Sequence, residues 1–177
     1  MRQTTQFVFA YGSLAADLRG SHPARLHGRR RGWGVAMDNR VDVPGYKHYR
    51  LRSDGSRPPV FVAFLDLFDD PAACTHGLCL PVDEAQLPVI DHRERNYERV
   101  DVTSAVPGAP GTVWTYRGTV AGRERLRRGR QLGRLVGDRA YLETVRAGFA
   151  ALGLDGDSDP GDLAVLDLER VDLPPAR

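Results

Sequence analysis

The sequence predicts a single mixed α+β domain, and three observations carry that expectation. The run Val60-Phe61-Val62-Ala63-Phe64-Leu65-Asp66-Leu67 is continuous, apolar and rich in β-branched and aromatic residues, which suits a central strand buried on both faces. Leu142, Val145, Phe149 and Leu152 recur at helical spacing further on. Between these lie several shorter extended segments divided by Pro-Gly and Gly-rich breaks. A chain of 177 residues is one domain by length and buries roughly two-thirds of its unfolded surface, so neither a disulfide nor a metal is required for stability.

In chain order, Phe7-Val8-Phe9-Ala10 reads as a strand that breaks at Tyr11-Gly12-Ser13-Leu14 and leads into one helical turn. Gly12 lets a ligand approach the main chain, Ser13 is a good cap for the amides that follow, and free N–H groups at such a turn form an anion site. A buried strand that merely ends in Gly-Ser is the structural alternative. Residues 18–23 read as loop and residues 24–38 as two extended pieces around Gly32-Trp33-Gly34. Residues 39–59 hold Pro44-Gly45, Ser53-Asp54-Gly55-Ser56 and Pro58-Pro59, and read as a loop with room for a short extended stretch. Its length suggests a wall over a site.

After the central strand, residues 77–82 can form its neighbour. Asp83 and Gln86 have the spacing of a capping box. Pro88 cannot sit inside a continuing helix, so a helix starting at Pro88 is expected to carry Asp91 and Glu94. Residues 96–106 and 112–116 make a hairpin across two Pro-Gly turns. Residues 117–137, rich in Gly and Arg, read as loop with a short helix at most. The sharpest helix follows, capped by Asp138 and ended by Gly153. Residues 155–161 break the pattern, and the apolar run at 163–171 fits a helix or a strand.

Composition excludes several function classes. The net charge is +2, and of the 25 basic residues 24 are Arg and only Lys47 is Lys. The Arg29-Arg30-Arg31 run and the Arg-rich stretch at 123–139 lack interleaved aromatics, and acidic residues are spread throughout, so these read as solvated faces and no nucleic-acid partner is expected. Cys74, His76 and Cys79 supply three potential ligands where a structural zinc wants four, so no metal is expected and the cysteines read as reduced thiols. The opening Met-Arg-Gln-Thr-Thr-Gln carries no signal-like apolar run, and no stretch approaches the roughly 20 apolar residues of a membrane span. A soluble, cytoplasmic protein without a membrane partner is expected.

Four segments occur together in register: the strand ending in Tyr11-Gly12-Ser13-Leu14; Ala24-Arg25-Leu26-His27-Gly28 followed by Trp33-Gly34; Ile90-Asp91-His92-Arg93-Glu94 followed by Tyr97-Glu98-Arg99 and a strand; and the run from Tyr141 through Gly153-Leu154. In that order and spacing they resemble the γ-glutamylcyclotransferase-like (AIG2-like) family over about residues 7 to 154. Pro88 departs from the family pattern. The resemblance implies a small, twisted or barrel-like sheet with a site at one mouth. It divides the chain into a domain at 1–154 and an extension at 155–177 that packs on the domain or on a partner subunit of a homodimer.

The implied chemistry is intramolecular aminolysis. The α-amine of a γ-glutamyl group attacks its own side-chain carbonyl, closing to 5-oxoproline and expelling an amine. No cofactor is implied, since nucleophile and electrophile share one molecule and the protein mainly orients them. The resemblance makes Glu94 the catalytic acid/base and nominates Tyr141 to orient the substrate's amine or carboxylate, with Tyr11 and Tyr97 behind it, while the main-chain amides of Gly12, Ser13 and Leu14 can supply the substrate cradle. Such a Glu94 needs a partly dry pocket to raise its pKa toward that of an amine. From the residues alone, Glu94 between Arg93 and Arg95 reads rather as a member of a surface ion pair, and it is the register with Tyr11-Gly12-Ser13-Leu14 that reverses this. The amine side of the substrate is expected to be read by residues 39–59 and 117–137. An enzyme that removes a γ-glutamyl group from a biosynthetic intermediate, and a non-catalytic small-molecule binding module, stay open beside the cyclotransferase.

Overall fold

The computed structural model describes residues 6–16, 20–151, 153 and 161–176. Among these residues nine strands and three α-helices follow one another as β1 (Gln6–Ala10), β2 (His22–Asp38), β3 (Lys47–Leu51), β4 (Phe61–Val82), α1 (Gln86–Arg93), β5 (Tyr97–Asp101), β6 (Thr112–Gly118), α2 (Val120–Gln131), β7 (Leu135–Asp138), α3 (Arg139–Ala150), β8 (Ala164–Leu166) and β9 (Leu168–Asp172). Short 3₁₀ turns stand at Ser13–Ala16 and Thr103–Ala105. The large sheet runs β5-β6-β1-β4-β7-β8, with β2 also paired to β4, while β3 and β9 form a separate two-stranded sheet.

β4 is the axis. Its first residues pair parallel with β7, its last five pair antiparallel with β1, and β2 follows it antiparallel from Phe61 to Cys79 with register shifts at His27/Arg29 and Trp33/Val35. The expected neighbour at 77–82 is therefore the continuation of this strand, and the two expected pieces at 24–38 are one strand with a shift beside the predicted Gly-Trp-Gly break. The bulges bend the ribbon without ending it. The main core gathers Phe7, Phe9, Leu26, Leu67, Leu78, Val113, Val145 and Phe149, and α3 lies against the turn at Ser13–Ala16.

The segment at 117–137 corrects the sequence expectation. α2 spans twelve residues of it, capped by Thr119, whose hydroxyl accepts from the Gly122 amide at 3.0 Å. Glycine and arginine looked like loop, yet Gly122 and Gly129 are buried and let the helix approach the sheet: a Cβ on Gly129 would stand 2.7 Å from Phe61 Cβ. Arg123 reaches the fully buried Asp66 at 2.8 Å, and Asp66 also accepts from the Gly118 and Leu67 amides at 2.7 Å each. That pairing satisfies a buried carboxylate. β7 escaped notice because four residues carry no readable period.

The capping box forms, with the Asp83 and Gln86 amides each bonded to the other's side chain at 2.8 Å. The helix starts at Gln86, so Pro88 falls in its first turn, where no intrahelical donor is lost. The hairpin of β5 and β6 is present, but residues 103–105 turn away as a 3₁₀ segment. Asp138 caps α3, accepting from the Ala140 and Tyr141 amides, and the apolar run near the end resolves into β8 and β9. Leu18, Leu152, Leu154 and the break at 155–160 lie outside the described residues.

Candidate active site

A cavity of about 260 Å³ opens beside the end of β1. Three groups of residues build it, and each is delivered by a different device.

The first is the turn after β1. Tyr11 is buried and its hydroxyl donates to the Tyr116 carbonyl on the neighbouring strand, which fixes the strand end. Gly12, Ser13 and Leu14 then line the cavity, with the Ala15 amide closing the turn on the Gly12 carbonyl at 3.0 Å. The Ser13 and Leu14 amides begin the 3₁₀ turn and so have no acceptor within it. A Cβ on Gly12 would stand 3.2 Å from the Tyr141 hydroxyl, so glycine is what lets that hydroxyl come close to the main chain.

The second is the end of α1. Glu94 is its C-terminal cap rather than a residue inside it: the Glu94 amide still donates to Ile90, but φ −89° and ψ 50° carry the chain out of the helix. The side chain turns into the cavity and is only 16 % exposed, with Oε1 3.6 Å from Arg93 Nε. Burial raises the pKa of its carboxyl above the ordinary value, opposed by the positive charges of Arg93, Lys47 and Arg170. This is the partly dry carboxyl that a base for an amine needs. Arg93 and Arg95 flank it as expected, yet the carboxylate is not a solvent-facing ion-pair partner.

The third device is a clamp on β4. The Tyr97 hydroxyl donates to the Leu65 carbonyl at 2.6 Å, and the Tyr141 hydroxyl accepts from the Leu65 amide at 3.2 Å. One tyrosine from β5 and one from α3 therefore hold both polar groups of one residue, and both rings line the cavity. Burial pushes the pKa values of Tyr11, Tyr97 and Tyr141 up, so all three stay neutral hydrogen-bonding groups at physiological pH.

All seven residues singled out from the sequence thus meet in one cavity. The facing wall is formed by Gly45, Tyr46 and Lys47, within the segment expected to cover the site, together with Arg170, Asp172 and Leu173, which the sequence reading missed. Residues 39–59 do supply part of that wall, but residues 117–137 line none of it, because α2 packs on β2 instead. Asn39 was the available signal for β3: fully buried, its side chain bonds Tyr49 twice and Pro58 once, pinning the base of the excursion. Among the described residues no cluster of His, Cys, Asp and Glu is disposed to hold a metal. Cys74 is exposed and Cys79 buried. No helix among the described residues is long and apolar enough to cross a membrane.

The family model described as "Gamma-glutamyl cyclotransferase, AIG2-like" matches residues 8–132, more than half of the chain. The chain belongs to that family. The fold of this γ-glutamyl cyclotransferase-like protein agrees with solved structures of low identity. One titled "Gamma-glutamyl cyclotransferase" is 13 % identical with a TM-score of 0.51, covering 90 % of this chain and 94 % of that one. A yeast protein titled as a γ-glutamyl cyclotransferase specific to glutathione is 14 % identical with a TM-score of 0.53, covering 84 % and 88 %. A human protein titled as uncharacterised is 16 % identical with a TM-score of 0.52, covering 86 % and 82 %. No curated protein sequence matches the chain. The family match ends before α3 and β9, so Tyr141, Arg170, Asp172 and Leu173 reach the cavity from beyond it.

Proposed function

We propose that the chain is a cyclotransferase that acts on a γ-glutamyl amide or peptide and releases 5-oxoproline and a free amine. The observation that carries this reading is the Glu94 carboxylate, nearly out of water and in the same cavity as the Gly12–Leu14 turn. Glu94 takes a proton from the substrate's α-ammonium, and the freed amine attacks the γ-carbonyl carbon. The carbon–nitrogen bond forms as the carbonyl electrons move to oxygen, and the Ser13 and Leu14 amides face that oxyanion or the substrate carboxylate. Glu94 then gives that proton to the departing nitrogen as the amide bond breaks, and takes up the second proton that the ring nitrogen sheds, which passes on to the freed amine or to water. Tyr141, at the closest approach to Gly12, orients the reacting groups, with Tyr11 and Tyr97 holding the frame. The two thiols not joined in a disulfide accord with a reducing compartment, the cytoplasm.

The domain division follows from this chemistry. Residues 1–154 hold the proposed reacting groups, and residues 155–177 act as an extension that completes the substrate wall through Arg170 and Asp172.

The test is a screen of γ-glutamyl amides, dipeptides and glutathione for 5-oxoproline release, followed by Glu94→Gln on whichever compound reacts. Turnover is expected to fall by at least about 10²-fold, with ligand binding and thermal stability little changed. Normal turnover by Glu94→Gln would leave the carboxylate as a structural group. A wild-type chain that binds these compounds without consuming any would be a binding module.

A further inference from the structure

The lining of the cavity is rich in cations: Lys47 from β3 and Arg170 from β9 in the facing wall, and Arg93 and Arg95 on either side of Glu94 at the end of α1. The arginines have partners. Arg170 Nε donates to Asp172 at 2.6 Å, Arg93 Nε lies 3.6 Å from Glu94, and Arg95 Nη2 is 3.2 Å from His92 Nε2. Lys47 is different. Its ammonium lies 4.6 Å from the ring centroid of Phe64 and 5.5 Å from those of Tyr46 and Tyr49, and among the described residues it makes no hydrogen bond or ion pair. Ring faces attract a cation but accept none of its three N–H groups in the way an oxygen does. A half-buried ammonium without a counter-ion, in the wall of a cavity, is matched by an anion entering that cavity.

We propose that Lys47 is a specificity-determining residue that recognises a negative charge on the amine side of the scissile bond, so that the favoured substrate is a γ-glutamyl amide whose departing amine bears a carboxylate. This rests on the cyclotransferase reading and deepens it. Where the turn amides take the glutamyl carboxylate, one of the two roles that reading gives them, and since a cation beside the α-ammonium would repel it, the anion beyond the amide is the group Lys47 suits. β3 holds Lys47 there through its pairing with β9, where Lys47 stands opposite Asp172. Burial and Arg170 bring the Lys47 pKa down to about 8, with Glu94 and Asp138 opposing and Arg93 adding to the fall, so the side chain is still a cation at neutral pH.

The test uses the whole chain and two probes that differ in one group, γ-glutamylglycine and γ-glutamylglycinamide. For the wild type, kcat/KM is expected to favour the carboxylate by about tenfold, as for one charge-assisted hydrogen bond. In Lys47→Met the ratio falls to about one, and Lys47→Arg keeps most of it because the charge remains. A wild type without preference, or a Lys47→Met chain that lowers both probes alike and keeps the ratio, overturns the proposal.

If Lys47→Met does not fold, the wild-type ratio measured against pH decides: it declines as pH rises through about 8 and stays level in Lys47→Arg. The other groups facing Lys47 are Glu94 and Arg93 of the α1 end, Arg170 of β9, Asp138 at the head of α3, Tyr46 just before β3 and Tyr49 within it. Burial raises both tyrosines, Tyr46 to about 12 and Tyr49 further, so the step near 8 is the lysine's. A level wild-type ratio overturns the proposal. If neither probe is turned over, the cyclotransferase reading fails by itself, and calorimetric binding decides this one. Tighter binding of γ-glutamylglycine that is lost in Lys47→Met supports it, and equal or absent binding overturns it.

Discussion

The two sides of the cavity are built from different kinds of contact. The side that holds the proposed chemistry is local: a glycine turn at the end of one strand and a glutamate at the end of one short helix, each set by a few consecutive residues. The facing wall has no local logic. Gly45 and Tyr46 are held by main-chain bonds to Pro174 and Leu173, and Lys47 by a pairing with Asp172, residues from near the opposite end of the chain. The difference separates what the site does from what it accepts. On the proposed reading the reacting groups ride on short motifs, whereas selection rests on a small sheet assembled from remote segments.

Glu94→Gln, with its loss of at least about 10²-fold, is the largest expected effect and falls on the local side. If wall substitutions abolished turnover and Glu94→Gln did not, the comparison would be reversed. Tyr141→Phe removes one orienting hydroxyl and is expected to reduce turnover about tenfold with folding intact. Unchanged kinetics would make the Leu65 contact purely structural.

The pH behaviour of Glu94 sharpens the same point. Because the folded carboxyl holds its proton above the ordinary value of 4.5, the acid limb of kcat/KM should lie above that value. Stability has the matching sign: the native state binds more protons between 4.5 and the folded value, so this contribution is full below 4.5 and is lost as pH rises through the folded value. Urea unfolding of the wild type and Glu94→Gln at several pH values should show the slope disappear in the variant.

Asp138→Ala removes the cap of α3, with an expected loss of about 1 kcal/mol in chemical denaturation. Arg170→Gln frees Asp172 from its exposed ion pair, and is expected to raise KM about threefold with kcat unchanged. A kcat effect there would bring the wall into the chemistry.

The sequence was readable where structure is short-range. The Asp83/Gln86 box, the Asp138 cap, the break at Gly12 and the spacing from Ile90 to Glu94 each depend on neighbours within one turn, and each is found in the fold. It was unreadable where a residue's meaning comes from a distant partner. Gly122 and Gly129 look like loop residues until β2 and Phe61 are placed against them. β3 sits in a segment whose prolines and glycines signal loop, and only β9 makes it a strand. Lys47 stood out as the single lysine, but its place in the cavity depends on that pairing and on the three rings around it.

The pairing of β3 with β9 also sets an order in time. Strand pairs that are far apart in sequence close late, because the loop between them must be ordered first. During synthesis the turn after β1, the helix ending in Glu94 and the hairpin that follows can all form while β9 has not yet been made. The nascent protein therefore has its Glu94 carboxylate before it has a complete wall, and the discrimination between substrates proposed for that wall would be among the last properties the chain acquires.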